Sequence, residues 1–376
     1  MIYLDNAATS YPKPPGVSEA VKKYLDKYGV SSGRSAYPAA VKTSKILFKC
    51  RGNLARFFNI PESSRLVFTL NATYGINAAL KGFLNPGDRV ITSSVEHNAV
   101  MRPLHFLQKT KNIKITKIKC DSEGYLNIKD FKKSLKKCTP QLVLINHASN
   151  VSGAVQDIKL LGNLCSKKKI PFMVDAAQTA GNVPIDVIND HIDIMAFSGH
   201  KSLLGPTGIG ALYVKAGLEF PPLCHGGTGS KSEKEFQPGF WPDKMESGTL
   251  NICPIIGLNA ALKYFASNGF SNMRAKKKKM TGYLLKSLKN LNTVTIHGPK
   301  KNNNRTSVVS ITVKNIFPSR ISTRLSAENI CVRVGLHCAP GAHKTLGTFP
   351  EGTVRITPGY FTKKSHIDKL IQVLQK

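Results

Sequence analysis

Seven short, mostly apolar runs punctuate the first 214 residues, at 65–69, 89–92, 114–119, 142–146, 172–175, 194–197 and 211–214. Stretches with helical spacing separate most of them. Short buried strands alternating with helices predict a mostly parallel sheet with right-handed crossovers. In such sheets ligands gather beyond the carboxyl ends of the strands. Asn71 to Thr73, His97, Asn150, Asp175 and Lys201 all fall at or just past such ends. That coincidence carries more than any one of these residues alone. A chain of 376 residues can bury a large core and divide in two. The pattern predicts a large α/β domain at 15–257 and a small α+β domain at 258–376, with residues 1–14 docked as an N-terminal segment.

Residues 193–214 concentrate the chemistry. The apolar run 194–197 ends in Ser198, Gly199, His200 and Lys201, and Gly-Pro and Gly-x-Gly punctuation then turns the chain back into the run 211–214. A lysine fixed at a strand end and desolvated beside cations loses proton affinity and becomes an amine able to form a Schiff base. Ser198 and His200 are donors for a phosphate against the same turn. Upstream, the run 172–175 ends in Asp175, with Gln178 just beyond. A carboxylate there would keep a pyridine nitrogen protonated, as a pyridoxal phosphate site needs. Taken singly, Asp175 would equally cap a turn and Thr73 the first turn of a helix. The ordered pair of strand-Asp and strand-Ser-x-His-Lys is what makes the pyridoxal phosphate reading specific.

Composition narrows the remaining classes. No apolar run approaches the ~20 residues needed to span a bilayer. The opening residues lack the basic and apolar regions of a signal peptide. Eight cysteines without paired spacing predict reduced thiols in a cytoplasmic setting, and no metal site. The formal net charge is +32. Such a surface attracts nucleic acid, anionic lipid and acidic proteins without specificity. The lysines are dispersed, as at 132–133, 136–137, 167–169 and 276–279, with no nucleic-acid motif, so they read as solvated helix faces.

The ordered motifs Y-L-D-N-A-A-T (3–9), N-A-T (71–73), E-H-N-A (96–99), S-N-V-S-G (149–153), V-D-A-A-Q (174–178), F-S-G-H-K (197–201), G-P-T-G-I-G-A-L-Y-V (205–214), E-S-G-T-L-N (246–251) and R-V-G-L-H-C-A (333–339) span nearly the whole chain. With them the sequence resembles the class V aminotransferases, and among these the group II cysteine desulfurases. The resemblance implies pyridoxal-phosphate-dependent transferase fold type I, a homodimer, and pyridoxal 5'-phosphate as cofactor. By the same resemblance Lys201 bonds the cofactor, His97 stacks on its ring and Asp175 pairs with its nitrogen. Gln178 and Asn150 then contact the ring hydroxyl and the substrate region. Ala72, Thr73, Ser198 and His200 hold the phosphate, joined by Thr249 from the other subunit. Cys338 would take sulfur from L-cysteine as a persulfide, releasing alanine, with a sulfur-acceptor protein downstream and iron–sulfur cluster assembly as the setting. Arg355 would clamp the substrate carboxylate bidentately, with Arg333 as helper. The other seven cysteines read as structural. Two alternatives stay open: an enzyme of the same type acting on L-selenocysteine or as a transaminase, and a non-catalytic binder of nucleic acid or acidic partners suggested by charge alone.

Overall fold

The computed structural model describes residues 1–33, 35–137 and 139–375. Cys138, one of the cysteines read as structural, lies outside the described residues. The chain begins with β1 (Ile2–Tyr3), α1 (Val17–Lys27) and α2 (Pro38–Phe57). Then come β2 (Leu66–Thr69), α3 (Ala72–Phe83), β3 (Arg89–Ser93), α4 (Asn98–Lys111), β4 (Lys114–Ile118) and α5 (Ile128–Lys137). β5 (Leu142–Asn146), α6 (Ile158–Ser166), β6 (Phe172–Asp175), β7 (Ile194–Ser198) and β8 (Gly210–Val214) follow. Strands β2 to β8 form one seven-stranded sheet in the order β2-β8-β7-β6-β5-β3-β4. The pairs from β7 across to β4 are parallel, whereas β8 runs antiparallel to both β7 and β2. The connection after Ser198 is too short for a crossover, so the chain returns beside the strand it has just left.

Every residue of β5, β6, β7 and β8 is buried. Helices cover both faces, and strands enclosed on both sides read as continuous apolar runs. The two-residue period still sorts the side chains. Val143 and Ile145 join a core with Phe172, Val174, Met195 and Phe197, while Leu142 and Leu144 face Ile76, Leu80 and Leu104 on the other side.

After α7 (Ile252–Asn268), the second unit contains α8 (Phe270–Lys289), β9 (Val294–His297), β10 (Val309–Val313), α9 (Pro318–Ala327), β11 (Ile330–Cys331), β12 (Arg333–Gly335), α10 (Pro340–Leu346), β13 (Thr353–Ile356) and α11 (Lys364–Gln375). Its antiparallel sheet has the order β12-β13-β10-β9. The break expected at 257/258 falls inside α7, which packs on α1 and α2 and gives Ile255, Ile256, Leu258 and Leu262 to the large core. The chain leaves the large unit at Gly269, whose φ of 72° ends the helix.

The N-terminal segment ties both units together. β1 pairs in parallel with β11, Leu4 sits in the small unit's core, and Asp5 bridges to Thr357. A few residues later the Ser10 amide, the Thr9 and Ser10 hydroxyls and Lys13 Nζ all donate to the carbonyl of His200 in the large unit.

Candidate active site

The carboxyl ends of β2, β3, β5, β6 and β7 open onto one pocket, lined by Asn71, Ala72, Thr73, His97, Asn146, Asn150, Asp175, Gln178, Ser198, His200 and Lys201. Five separate stretches of sequence meet there. At one end α3 begins against the sheet: Gly210 permits this, since a Cβ would lie 2.7 Å from the Asn71 backbone. The Asn71 side chain takes the Tyr74 amide at 3.0 Å, and Ser198 Oγ takes the Ala72 amide at 3.1 Å. The Thr73 amide and hydroxyl have no partner among the described residues. A helix start of this kind is an anion site. His200 stands beside it with a buried Nδ1 that makes no hydrogen bond.

Across the pocket, Asp175 accepts the Ala177 amide at 2.9 Å through Oδ1 and has no bond to its second oxygen among the described residues. Burial pushes its pKa up, against the opposing pull of that amide and of Lys201. Lys201 is pushed the other way, down to about 8, by burial first and Arg355 next, with Asp175 resisting. Carboxylate and amine are thus both under-compensated, each short of a partner of opposite character. His97 caps α4, its Nδ1 accepting the Ala99 amide at 3.0 Å, which leaves the proton on Nε2. Burial, Lys201 and Arg355 depress its pKa to about 4, so the ring is neutral. His200 is likewise brought to about 4 by burial, Lys201 and Lys13.

Cys338 is not part of the pocket lining, but its loop is tied to the pocket's edge. It is exposed, and both it and His337 are left-handed, at φ 57° and 48°. The Asn150 amide donates to the His337 carbonyl at 2.6 Å, and the Asn98 amide to the Cys338 carbonyl at 2.7 Å. Two pocket elements therefore hold the thiol loop of the small unit. Directly after it, α10 docks Ala339 and Ala342 on Val95 and Val151. Cys338 lies within electrostatic reach of Lys201 and Arg355.

Arg355 and Arg333 lie outside the pocket lining. Asp5 joins them, with Oδ1 on Arg355 Nη2 and Oδ2 on Arg333 Nε, both at 2.9 Å. Arg355 Nη1 also donates to the Asn150 carbonyl at 3.2 Å, and its buried Nε has no partner. Thr249 is exposed and away from the pocket. Its segment is anchored by Glu246, which pairs with Arg51 through two 2.8 Å bonds and accepts the Phe68 amide at 2.6 Å. Breaking one side of so buried a pair costs about 3–5 kcal/mol.

Three participants carried no role in the sequence reading. Glu96 is buried and accepts Ser93 Oγ at 2.6 Å and the Asn146 amide at 3.0 Å, joining the ends of β3 and β5. Burial pushes its pKa up to about 8. Asp5 and the Thr9–Lys13 clamp on His200 lie in or beside a motif quoted above, but their partners are some 190 to 350 residues away. Among the other cysteines, Cys50 and Cys165 are buried, whereas Cys224 is exposed and accepts the Tyr74 hydroxyl at 2.9 Å. Each cysteine among the described residues is free. No helix of the described residues is long and apolar enough to cross a membrane.

The aminotransferase class-V family profile matches residues 2–370. A probable cysteine desulfurase of Pyrococcus abyssi is 32% identical, covering 100% of this chain and 94% of its own. The solved apo structure of a cysteine desulfurase from Thermococcus onnurineus NA1 superposes with a TM-score of 0.93 at 30% identity, over 100% of this chain and 94% of that one. The Escherichia coli cysteine desulfurase CsdA, solved as its S-sulfonic acid, gives 0.86 at 27% identity, over 99% and 93%.

Proposed function

The chain belongs to the class V aminotransferase family, as a pyridoxal-phosphate-dependent cysteine desulfurase, and we propose how its own residues divide that work. Pyridoxal 5'-phosphate, when bound, supplies an aldehyde for an amine and a ring that withdraws electrons. The residues present suit it: an open helix start for the phosphate, a buried carboxylate with one oxygen unbonded for the ring nitrogen, and a depressed lysine for the aldehyde. Ala72, Thr73, Ser198 and His200 hold the phosphate. Asp175 faces the ring nitrogen, neutral His97 covers a ring face, and Gln178 and Asn150 border the ring hydroxyl and substrate.

Lys201 removes and returns the proton at the substrate Cα, because its depressed pKa leaves a useful fraction neutral near pH 8. Arg355 takes the substrate carboxylate through its unpartnered Nε edge, and Arg333 supports it through the shared Asp5. The Cys338 thiolate attacks the substrate Sγ. An S–S bond forms, the Cβ–Sγ bond breaks, and carbon keeps the electron pair and is protonated, releasing alanine. The observation that carries this reading is the pair of hydrogen bonds from Asn150 and Asn98 to the backbone of His337 and Cys338. They tie the loop that carries a solvent-accessible thiol to Asn150 and Asn98, beside the pocket that holds Lys201.

Exposure of Cys338 also suits a sulfur-acceptor protein. We infer a homodimer in which Thr249 of the partner subunit completes the phosphate site. Exposed Leu70, next to Asn71, and Phe236 and Phe240, in the segment before Thr249, supply apolar surface for such a contact. Free cysteines suit a cytoplasmic setting.

Cys338→Ser tests the assignment. With L-cysteine and no keto acid, wild-type protein is expected to yield equal alanine and transferable sulfur. The variant is expected to retain cofactor and solvent exchange at Cα while alanine falls at least about a hundredfold. Alanine at near wild-type rate from the variant refutes persulfide formation at Cys338.

A further inference from the structure

The lysine run 276–279 reads from sequence as a solvated helix face, but one of the four turns inward. On α8 the buried side chains recur as Met273, Lys277, Thr281, Leu284 and Leu288, so Lys277 occupies an apolar-face position. It is 7% exposed. Its Nζ donates to the Gly181 carbonyl at 2.9 Å, which uses one of three protons. Burial and Arg274 depress its pKa to about 7.

The ammonium faces a cavity of about 120 Å³ between the two units. Asn182 and Ser307, 8% and 5% exposed, line the same cavity, and neither side chain has a hydrogen-bond partner among the described residues. Arg274 and Lys278 stand exposed at its edge, and no Asp or Glu lines it. Lys277, Asn182 and Ser307 also line a smaller neighbouring cavity that reaches Gln178, and Gln178 borders the cofactor pocket. Three buried polar groups, one of them cationic, thus converge from a loop after β6, from α8 and from the loop before β10. Their common feature is donor capacity beyond the one bond from Lys277 to Gly181.

We propose that this junction is a binding site for a small tetrahedral oxyanion of phosphate or sulfate type, held by the Lys277 ammonium, the Asn182 amide and the Ser307 hydroxyl. Donors arriving from three elements suit an anion with oxygens on all sides better than a flat carboxylate. Because Asn182 belongs to the large unit and Lys277 and Ser307 to the small one, the anion joins the two.

The test uses holoenzyme, so that the cofactor occupies its own phosphate site, and titrates inorganic phosphate against chloride at constant ionic strength. Wild-type protein is expected to show a saturable rise in Tm and one calorimetric site per chain. Lys277→Met fills the position with an apolar chain and is expected to weaken phosphate binding at least about tenfold. Asn182→Ala and Ser307→Ala are expected to weaken it severalfold each. Lys132→Gln with Lys133→Gln, on the exposed face of α5, controls for the +32 charge and is expected to leave the titration unchanged. Equal phosphate response in wild type and Lys277→Met overturns the proposal, as does loss of the response in the α5 control. If Lys277→Met does not fold, the Asn182→Ala, Ser307→Ala double variant decides, and an unchanged titration there overturns it.

Discussion

The pocket around Lys201 and the loop carrying Cys338 are held in place by different means. In the pocket, side chains project from the ends of strands buried along their whole length, and four titratable groups have pKa values moved mainly by loss of water. The Cys338 loop is wet, and two consecutive non-glycine residues sit in left-handed backbone. That conformation costs about 1–2 kcal/mol per residue. It persists because β12 is paired with β13 on one side, α10 is docked on the other, and two hydrogen bonds join the tip to the pocket. Proton transfer at carbon needs a dry, fixed lysine. Sulfur delivery needs a thiol that first meets the substrate and then a second molecule, so only its backbone is fixed.

The sharpest break in this contrast is Lys201→Ala. It is expected to lower desulfuration by about a thousandfold or more and to make cofactor removable by dialysis, while Cys338 still reacts with a thiol reagent at the wild-type rate. Measured turnover within tenfold of wild type would mean that another base serves the reaction. A second effect follows from the amine's depressed pKa. Below about 8 the ammonium dominates, so the rate at which apo-protein takes up pyridoxal phosphate should rise about tenfold per pH unit and level off above 8. A profile flat from pH 6 to 9, followed by absorbance, would contradict the depressed lysine. The smallest effect belongs to Asn150→Ala, which releases the His337 carbonyl. Loss of one such bond is worth about 1 kcal/mol, so sulfur transfer should fall about fivefold, with more backbone hydrogen exchange confined to the 335–339 loop. Unchanged exchange there would show that Asn150 does not hold the thiol loop.

How far each region can be read in the sequence follows the same division. The strand ends are legible because doubly covered strands are short apolar runs, and β6 and β7 lead into polar residues whose chemistry stands out, Asp175 at the end of one and Lys201 just past the other. The resemblance points to Cys338, but nothing in Leu336-His337-Cys338-Ala339 announces left-handed backbone, for which the usual sign is glycine. Asp5 escaped notice because its arginine partners lie more than 320 residues away. The unit boundary expected at 257 falls inside α7, which is apolar nearly all round and carries no amphipathic break; Asn268-Gly269 is the stop signal at its end. Lys277 was hidden among identical neighbours, and only the period of Met273, Thr281 and Leu284 marks it as inward.

The clamp on the His200 carbonyl bears on how the protein is made. The carbonyl that residues 9–13 grip is made about 190 residues after them, and the strand that seats Ile2 and Tyr3 comes only at 330–331. Domains fold as they emerge, so the large unit, with the His200 carbonyl, can be complete while Ile2 and Tyr3 still lack their strand partner. The arm that clamps the turn bearing Lys201 is therefore seated along its whole length only once residues 330–331 have been made. Nascent chains that stop short of residue 330 would carry every large-unit residue of the pocket and still be poor at capturing cofactor.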